Sequence, residues 1–325
     1  MVGQGTRWRK AHDARMCADN SSWFASPALL WDAATRWQAL VGARREQFER
    51  LRTESPDPAA YWRRRAPSYY AAVRASTGPD AFIRAVLSAC SESEALDARW
   101  ATEAEPMPAT VLDVGGGFGA VAVPIALTGR RVTVVEPHSS MVELLREWTT
   151  EVGVSDRVRV VQTPWPLAAP GSERHDVVVC SHVLYPIDEI APFVQALLAA
   201  ARSACLITLR VGGIEQAPAA LFREFHGEER VPQPGFGDLC ALLAQLSLPF
   251  DASMFESEST WSYADLDEAV EVLAETLLVG GRPEARKRIR AWAEATLAKE
   301  GSRLVAPRRR TMSGIATLRA QADRS

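Results

Sequence analysis

Residues 111–119 read Val-Leu-Asp-Val-Gly-Gly-Gly-Phe-Gly, and the fold turns on them. An apolar run meets an acid, Asp113. Glycines then stand at 115, 117 and 119, and a helix-like apolar pattern follows at once. This is the pattern of a buried parallel strand that turns tightly into a helix. Glycine admits positive φ in such a turn and leaves no Cβ between the backbone and a ligand.

Downstream, strands and helices alternate. Residues 131–136 are β-branched and end in an acid. Residues 139–151 carry Met141, Leu144, Leu145 and Trp148 on one helical face. Strands are expected at 157–162, 176–180 and 204–209, with a helix at 192–201. Continuously apolar strands alternating with helices predict an α/β chain with a doubly wound, mostly parallel sheet. Pro124 falls inside the helix expected after the glycines and predicts a kink. Beyond Arg210 the rhythm changes. Helices are expected at 217–225, 236–246, 263–278 and 283–299, an alternating strand at 251–257 and a closing strand at 310–318. Upstream, Leu30, Ala34, Trp37, Leu40 and Val41 mark a helix over 27–52. Prolines 56 and 58 break it, and further helical blocks cover 59–74 and 80–99. The first 20 residues are polar and expected to lack order.

The chain has 325 residues, 47% hydrophobic and 24% charged, with a net charge of −3. That balance gives no electrostatic case for nucleic acid or an acidic membrane. The five cysteines are scattered, without a Cys-x-x-Cys pair, which predicts reduced thiols and not a disulfide framework. With no apolar signal segment and no run of membrane-spanning length, the expected location is cytoplasmic. No His/Asp/Glu grouping has metal-ligand spacing, so no metal is expected.

The loop alone leaves the ligand open, because Gly115-x-Gly117-x-x-Ala120 with Glu136 downstream also satisfies the dinucleotide fingerprint. Three features favour another reading: Asp113 two residues before the first glycine, the segment Val135-Glu136-Pro137-His138-Ser139-Ser140-Met141, and the stretch from His175 to Tyr185. Together they resemble the class I S-adenosylmethionine-dependent methyltransferases, over about residues 108–212. The resemblance implies a Rossmann-like seven-stranded sheet in the order 3-2-1-4-5-7-6, with 310–318 as the reversed strand. It implies S-adenosyl-L-methionine as cofactor, held by Asp113, Gly115, Gly117, Gly119, Glu136, Pro137, Thr163, Trp165, Ser181 and Tyr69. Glu136 would accept the ribose hydroxyls, and Asp113 would lie near the methionine end. The family's adenine-binding acid after the third strand is missing. Gln162 or Thr163 stands in for it, and Trp165 either stacks on the purine or belongs to the core. Tyr61-Trp62 and Tyr69-Tyr70 look like the family's aromatic lid, with core packing as the alternative.

For catalysis, His182 is the candidate base at the carboxyl edge of the fourth strand, with a structural imidazole as the alternative. Tyr185 is a candidate for orienting the substrate, and His226, with Glu228, for a substrate-facing pair. The domain reading is an N-terminal helical extension over 1–58 and a methyltransferase domain over 59–325, with a helical substrate-side addition at about 215–300. The expected function is O- or N-methylation of a small molecule. The Asn/Asp-Pro-Pro-Tyr signature of base- and amide-methylating enzymes is absent after the fourth strand, where Cys180-Ser181-His182-Val183 stands instead. The alternatives are an NAD-dependent oxidoreductase using the same loop and a non-catalytic cofactor-binding protein. A homodimer is left open.

Overall fold

In the computed structural model, residues 32–52, 65–67, 69–70, 73–74, 80–100, 107–166, 173–213, 217–259 and 261–320 are described. The strands are β1 (Thr110–Val114), β2 (Arg131–Val135), β3 (Val158–Val161), β4 (His175–Ser181), β5 (Ala201–Arg210) and β6 (Phe250–Ser259). Three short ones follow, β7 (Ser262–Tyr263), β8 (Ala298–Glu300) and β9 (Arg303–Val305), and then β10 (Arg309–Arg319). The main sheet runs β3-β2-β1-β4-β5-β10-β6. β1 to β5 are mutually parallel, and β10 is antiparallel to both β5 and β6. This is the seven-strand order expected, with the last strand reversed.

The helices are α1 (Ala33–Leu51), α2 (Ala81–Trp100), α3 (Ala122–Leu127), α4 (Ser139–Glu151), α5 (Ile190–Ala199), α6 (Ala219–His226), α7 (Phe236–Gln245), α8 (Leu266–Thr276) and α9 (Pro283–Thr296). Alternation along the strands divides the core between the two sheet faces. Val111, Val132, Val134, Val177 and Val179 pack with α2, α3 and α4. Leu112, Val135, Val178, Cys180 and Ile207 pack with α1, α5 and α7. A third cluster joins α6, α8 and α9. The described residues from Ala33 onward fall in one compact unit.

Three sequence expectations change here. Pro124 kinks nothing. The chain makes turns through residue 121, the helix begins at Ala122, and the proline sits in its first turn, where a missing N–H costs no helical bond. The helix expected from 263 starts later. Tyr263 pairs with Leu304 in a small β7-β9-β8 sheet, and Asp265 caps α8 by accepting from Glu268 N–H at 2.8 Å. The buried stripe of α1 also includes polar residues. Trp37 donates through Nε1 to the Ile187 carbonyl at 2.9 Å. Gln47 both donates to Glu229 O and accepts from Val231 N–H, each at 2.8 Å. Arg44 bonds the Val231 carbonyl. Hydropathy periodicity is blind to such clamps, yet they fasten α1 to the loops beside the carboxyl edge of the sheet.

Candidate functional site

The carboxyl edge of the sheet opens into a cavity of about 950 Å³. That is near the upper end of small-molecule sites, with room for a nucleoside cofactor and an acceptor together. The loop after β1 forms one wall. Gly117 lines the cavity with φ +56, and a Cβ built there would meet nothing nearer than Met141 Sδ at 3.9 Å. The bare backbone therefore faces open space. Gly119 is a glycine for another reason: a Cβ there would come within 2.5 Å of Leu145. It lets α4 approach the loop and does not line the cavity, so its expected cofactor contact is replaced by a packing role. Gly115 lines the cavity and abuts Val183.

Glu136, just past β2, is buried, and its carboxylate is already engaged. Oε2 accepts from Gly117 N–H at 3.0 Å. Oε1 accepts from His138 N–H at 2.9 Å and lies 2.7 Å from His138 Nδ1. A carboxylate offers about four lone-pair sites, so capacity remains for a ligand hydroxyl. His138 lines the cavity and steadies this acid.

Asp113 is also buried. It accepts from Ala122 N–H, while its Oδ2 has no partner. Burial, then the nearby Glu136 charge, raises its pKa from 3.8 to about 7. Because the folded value lies above the unfolded one, the carboxyl favours the fold fully only below pH 3.8. That contribution is lost as pH rises toward 7. The melting temperature of the ligand-free protein is therefore expected to fall by a few degrees more between pH 5 and 8 than that of Asp113→Asn. Parallel melting curves for the two proteins would show that Asp113 titrates elsewhere.

The next tip belongs to β4. His182 is left-handed, with φ 59, and its N–H bonds Thr208 O at 3.0 Å. Such a conformation is uncommon for a residue with a side chain and tends to mark functional sites. Tyr185 Oη accepts from Arg210 N–H at 2.8 Å and lies 2.9 Å from His182 Nδ1. Tyr185 best satisfies both bonds by giving its proton to Nδ1, which leaves the imidazole proton on Nε2. Burial, then the Arg210 charge, lowers the His182 pKa to about 4. In that tautomer the neutral imidazole would present a donor to the cavity, which argues against the base role expected of His182. Burial pushes the Tyr185 hydroxyl pKa up from its ordinary value and keeps it a phenol.

Pro137, Ser181, Trp165 and Tyr69 line the cavity. Trp165 is half-buried, lines the cavity and also packs against the apolar core. Tyr69 meets Phe118 edge-on at 5.2 Å, above the glycine loop. Tyr61 and Trp62 lie outside the described residues. Thr163 does not line the cavity. Neither does His226, whose Nε2 is 2.7 Å from Leu277 O beside Phe222. As the C-terminal residue of α6, it serves that helix's packing and not the cavity. Arg210 was missed from the sequence, although an arginine ending the apolar run Leu206-Ile207-Thr208-Leu209 at a carboxyl edge is a legible signal. No group of three or more metal-ligating side chains occurs among the described residues.

A protein-family profile described as "Methyltransferase domain" matches residues 111–204. A ubiquinone biosynthesis O-methyltransferase of Methylobacterium sp. (strain 4-46) is 34% identical over 93 residues, 29% of this chain and 36% of that protein. A ribosomal RNA small subunit methyltransferase G of Nocardioides sp. is 36% identical over 121 residues, 34% of this chain and 47% of that protein. The chain thus spans less than half the length of these two relatives. Among solved structures, magnesium protoporphyrin IX methyltransferase from Synechocystis PCC 6803 with bound SAM aligns with a TM-score of 0.39. It shares 16% identity over 62% of this chain and 92% of that one. The YcgJ protein of Bacillus subtilis aligns with a TM-score of 0.42 at 14% identity, over 70% and 98%. Strand order, glycine loop and family profile converge: residues 111–204 match a methyltransferase domain, and the sheet around them has the order expected of the class I S-adenosylmethionine-dependent methyltransferases.

Proposed function

We propose that the protein transfers the methyl group of S-adenosylmethionine to a small-molecule acceptor, at oxygen or nitrogen. The observation that carries this reading is Gly117, left-handed and bare, opening onto a large cavity whose rim holds the buried Glu136. Bound there, the cofactor would supply a methyl group already electrophilic on a sulfonium. Glu136 would accept from the ribose hydroxyls with its remaining lone pairs, a charge-assisted contact. The unpartnered Asp113 Oδ2 suits the cofactor's ammonium. The chain's main catalytic work is to hold the acceptor in line and to keep water out. The methyltransferase profile over the loop itself favours this over nicotinamide chemistry. The test is calorimetry of the purified chain with S-adenosylhomocysteine, followed by labelled methyl transfer into a metabolite extract. Binding of NADH in place of the homocysteine nucleoside would sink the reading. Binding without label transfer to any acceptor would leave only a cofactor-binding protein.

No base is needed for an acceptor that presents an ionised or neutral lone pair. His182→Asn, which tolerates the left-handed backbone and keeps a donor, is expected to retain the transfer rate within about tenfold. Loss of a true general base costs about 10²–10⁴. A loss in that range, measured as kcat with saturating acceptor, would reinstate His182 as the base.

A further inference from the structure

Arg210, the last residue of β5, lines the cavity at the far side from Glu136. From β2 through β1 and β4 to β5 is three strand spacings, about 14 Å at about 4.8 Å each. The guanidinium is fixed by one amino group alone. Nη1 donates to Ser257 Oγ at 2.7 Å, Thr311 Oγ1 at 2.6 Å and Ser313 Oγ at 3.1 Å. Those hydroxyls come from β6 and β10, so three strands aim this one side chain. They are neutral, and no carboxylate among the described residues pairs with Arg210. Its Nε and Nη2 have no hydrogen-bond partner there and are not sealed from the cavity. The two acids that line the cavity, Asp113 and Glu136, belong to the glycine-loop side. Beside Arg210, joined through the Tyr185 hydroxyl, stands His182, whose Nε2 carries the proton in the tautomer argued above. A half-buried cation with fixed geometry, free N–H groups and no counter-charge is an anion site waiting for its anion. Its flat fork matches a planar carboxylate, and Phe193, Val211, Trp261 and Met312 offer apolar wall for a carbon skeleton.

We propose that the acceptor is a carboxylic acid whose carboxylate is held by Arg210 and His182, leaving a different atom to take the methyl group. A carboxylate gripped in this fork has its lone pairs committed, which suits an anchor and not a nucleophile. The proposal rests on the methyl-transfer reading above, and its test separates the two.

The full chain, saturated with S-adenosylhomocysteine, is titrated with matched pairs of carboxylic acid and primary amide, such as benzoate and benzamide, phenylacetate and phenylacetamide, cinnamate and cinnamamide, octanoate and octanamide. Melting-temperature shifts are followed by calorimetry. Acids are expected to bind and their amides to bind at least tenfold more weakly, with acid affinity falling as salt rises. Arg210→Met is expected to lose at least tenfold in acid affinity while keeping that for S-adenosylhomocysteine, and Arg210→Lys to fall between. Equal binding of amides, binding of no acid in the panel, or unchanged acid affinity in Arg210→Met overturns the proposal. If Arg210→Met does not fold, the acid–amide comparison and the salt dependence on the unaltered chain decide. Failure of S-adenosylhomocysteine to bind the unaltered chain would instead strike the methyl-transfer reading itself.

Discussion

Gly117→Val is expected to fold and to lose S-adenosylmethionine binding by at least about a hundredfold, or about 2.7 kcal/mol. The two halves of that expectation have separate causes. In the ligand-free protein the new Cβ meets nothing within 3.9 Å, so the fold bears only the cost of a side chain at φ +56, about 1–2 kcal/mol. The added methyl groups, however, fill the space in which the cofactor must lie against the backbone. Gly119→Val is the contrasting control. Its Cβ would stand 2.5 Å from Leu145 and 2.9 Å from Val123, so that variant should lose stability first. Melting curves and calorimetry on the pair separate the roles. Normal cofactor affinity in a folded Gly117→Val would mean that the loop does not face the ligand.

Glu136→Ala is expected to weaken cofactor binding by at least about thirtyfold, roughly 2 kcal/mol, within the range of a lost charge-assisted hydrogen bond. The alanine removes more than a ribose contact. It also frees the Gly117 N–H and both groups of His138 that the carboxylate holds, so the loop loses its brace along with the cavity losing its acid. Glu136→Gln should fall between, because an amide can still accept at one atom but sets a donor near one of those N–H groups. Calorimetry with S-adenosylmethionine checks both, and unchanged affinity in the alanine variant would move the sugar site elsewhere. A faster hydrogen exchange at Gly117 in the same variant would report the lost brace even without ligand.

The sheet was legible because its signals are local. Apolar runs at 110–114, 131–136 and 176–180, separated by helical periods, read as parallel strands covered on both faces, and the acid at 136 stands at a strand tip by simple counting. The strand order followed from the resemblance of those same motifs, and the structure has it. What failed was also instructive. A two-residue strand such as β7 is too short to show alternation, and Tyr263 reads equally well as the start of α8 until its partner Leu304 is known. Buried Arg44 and Gln47 were invisible because their targets are backbone groups far along the chain.

Thus the residues alone specify the doubly wound core and mark the glycine loop and Glu136, since backbone freedom and period-two or 3.6-residue patterning act between near neighbours in the chain. Tertiary structure decides the division of labour among the glycines, which turns on where α4 packs. It also decides the hydrogen-bonding surroundings of His182, which Tyr185 and Thr208 supply. The aim of Arg210 itself is set by hydroxyls that only the registers of β6 and β10 bring beneath it.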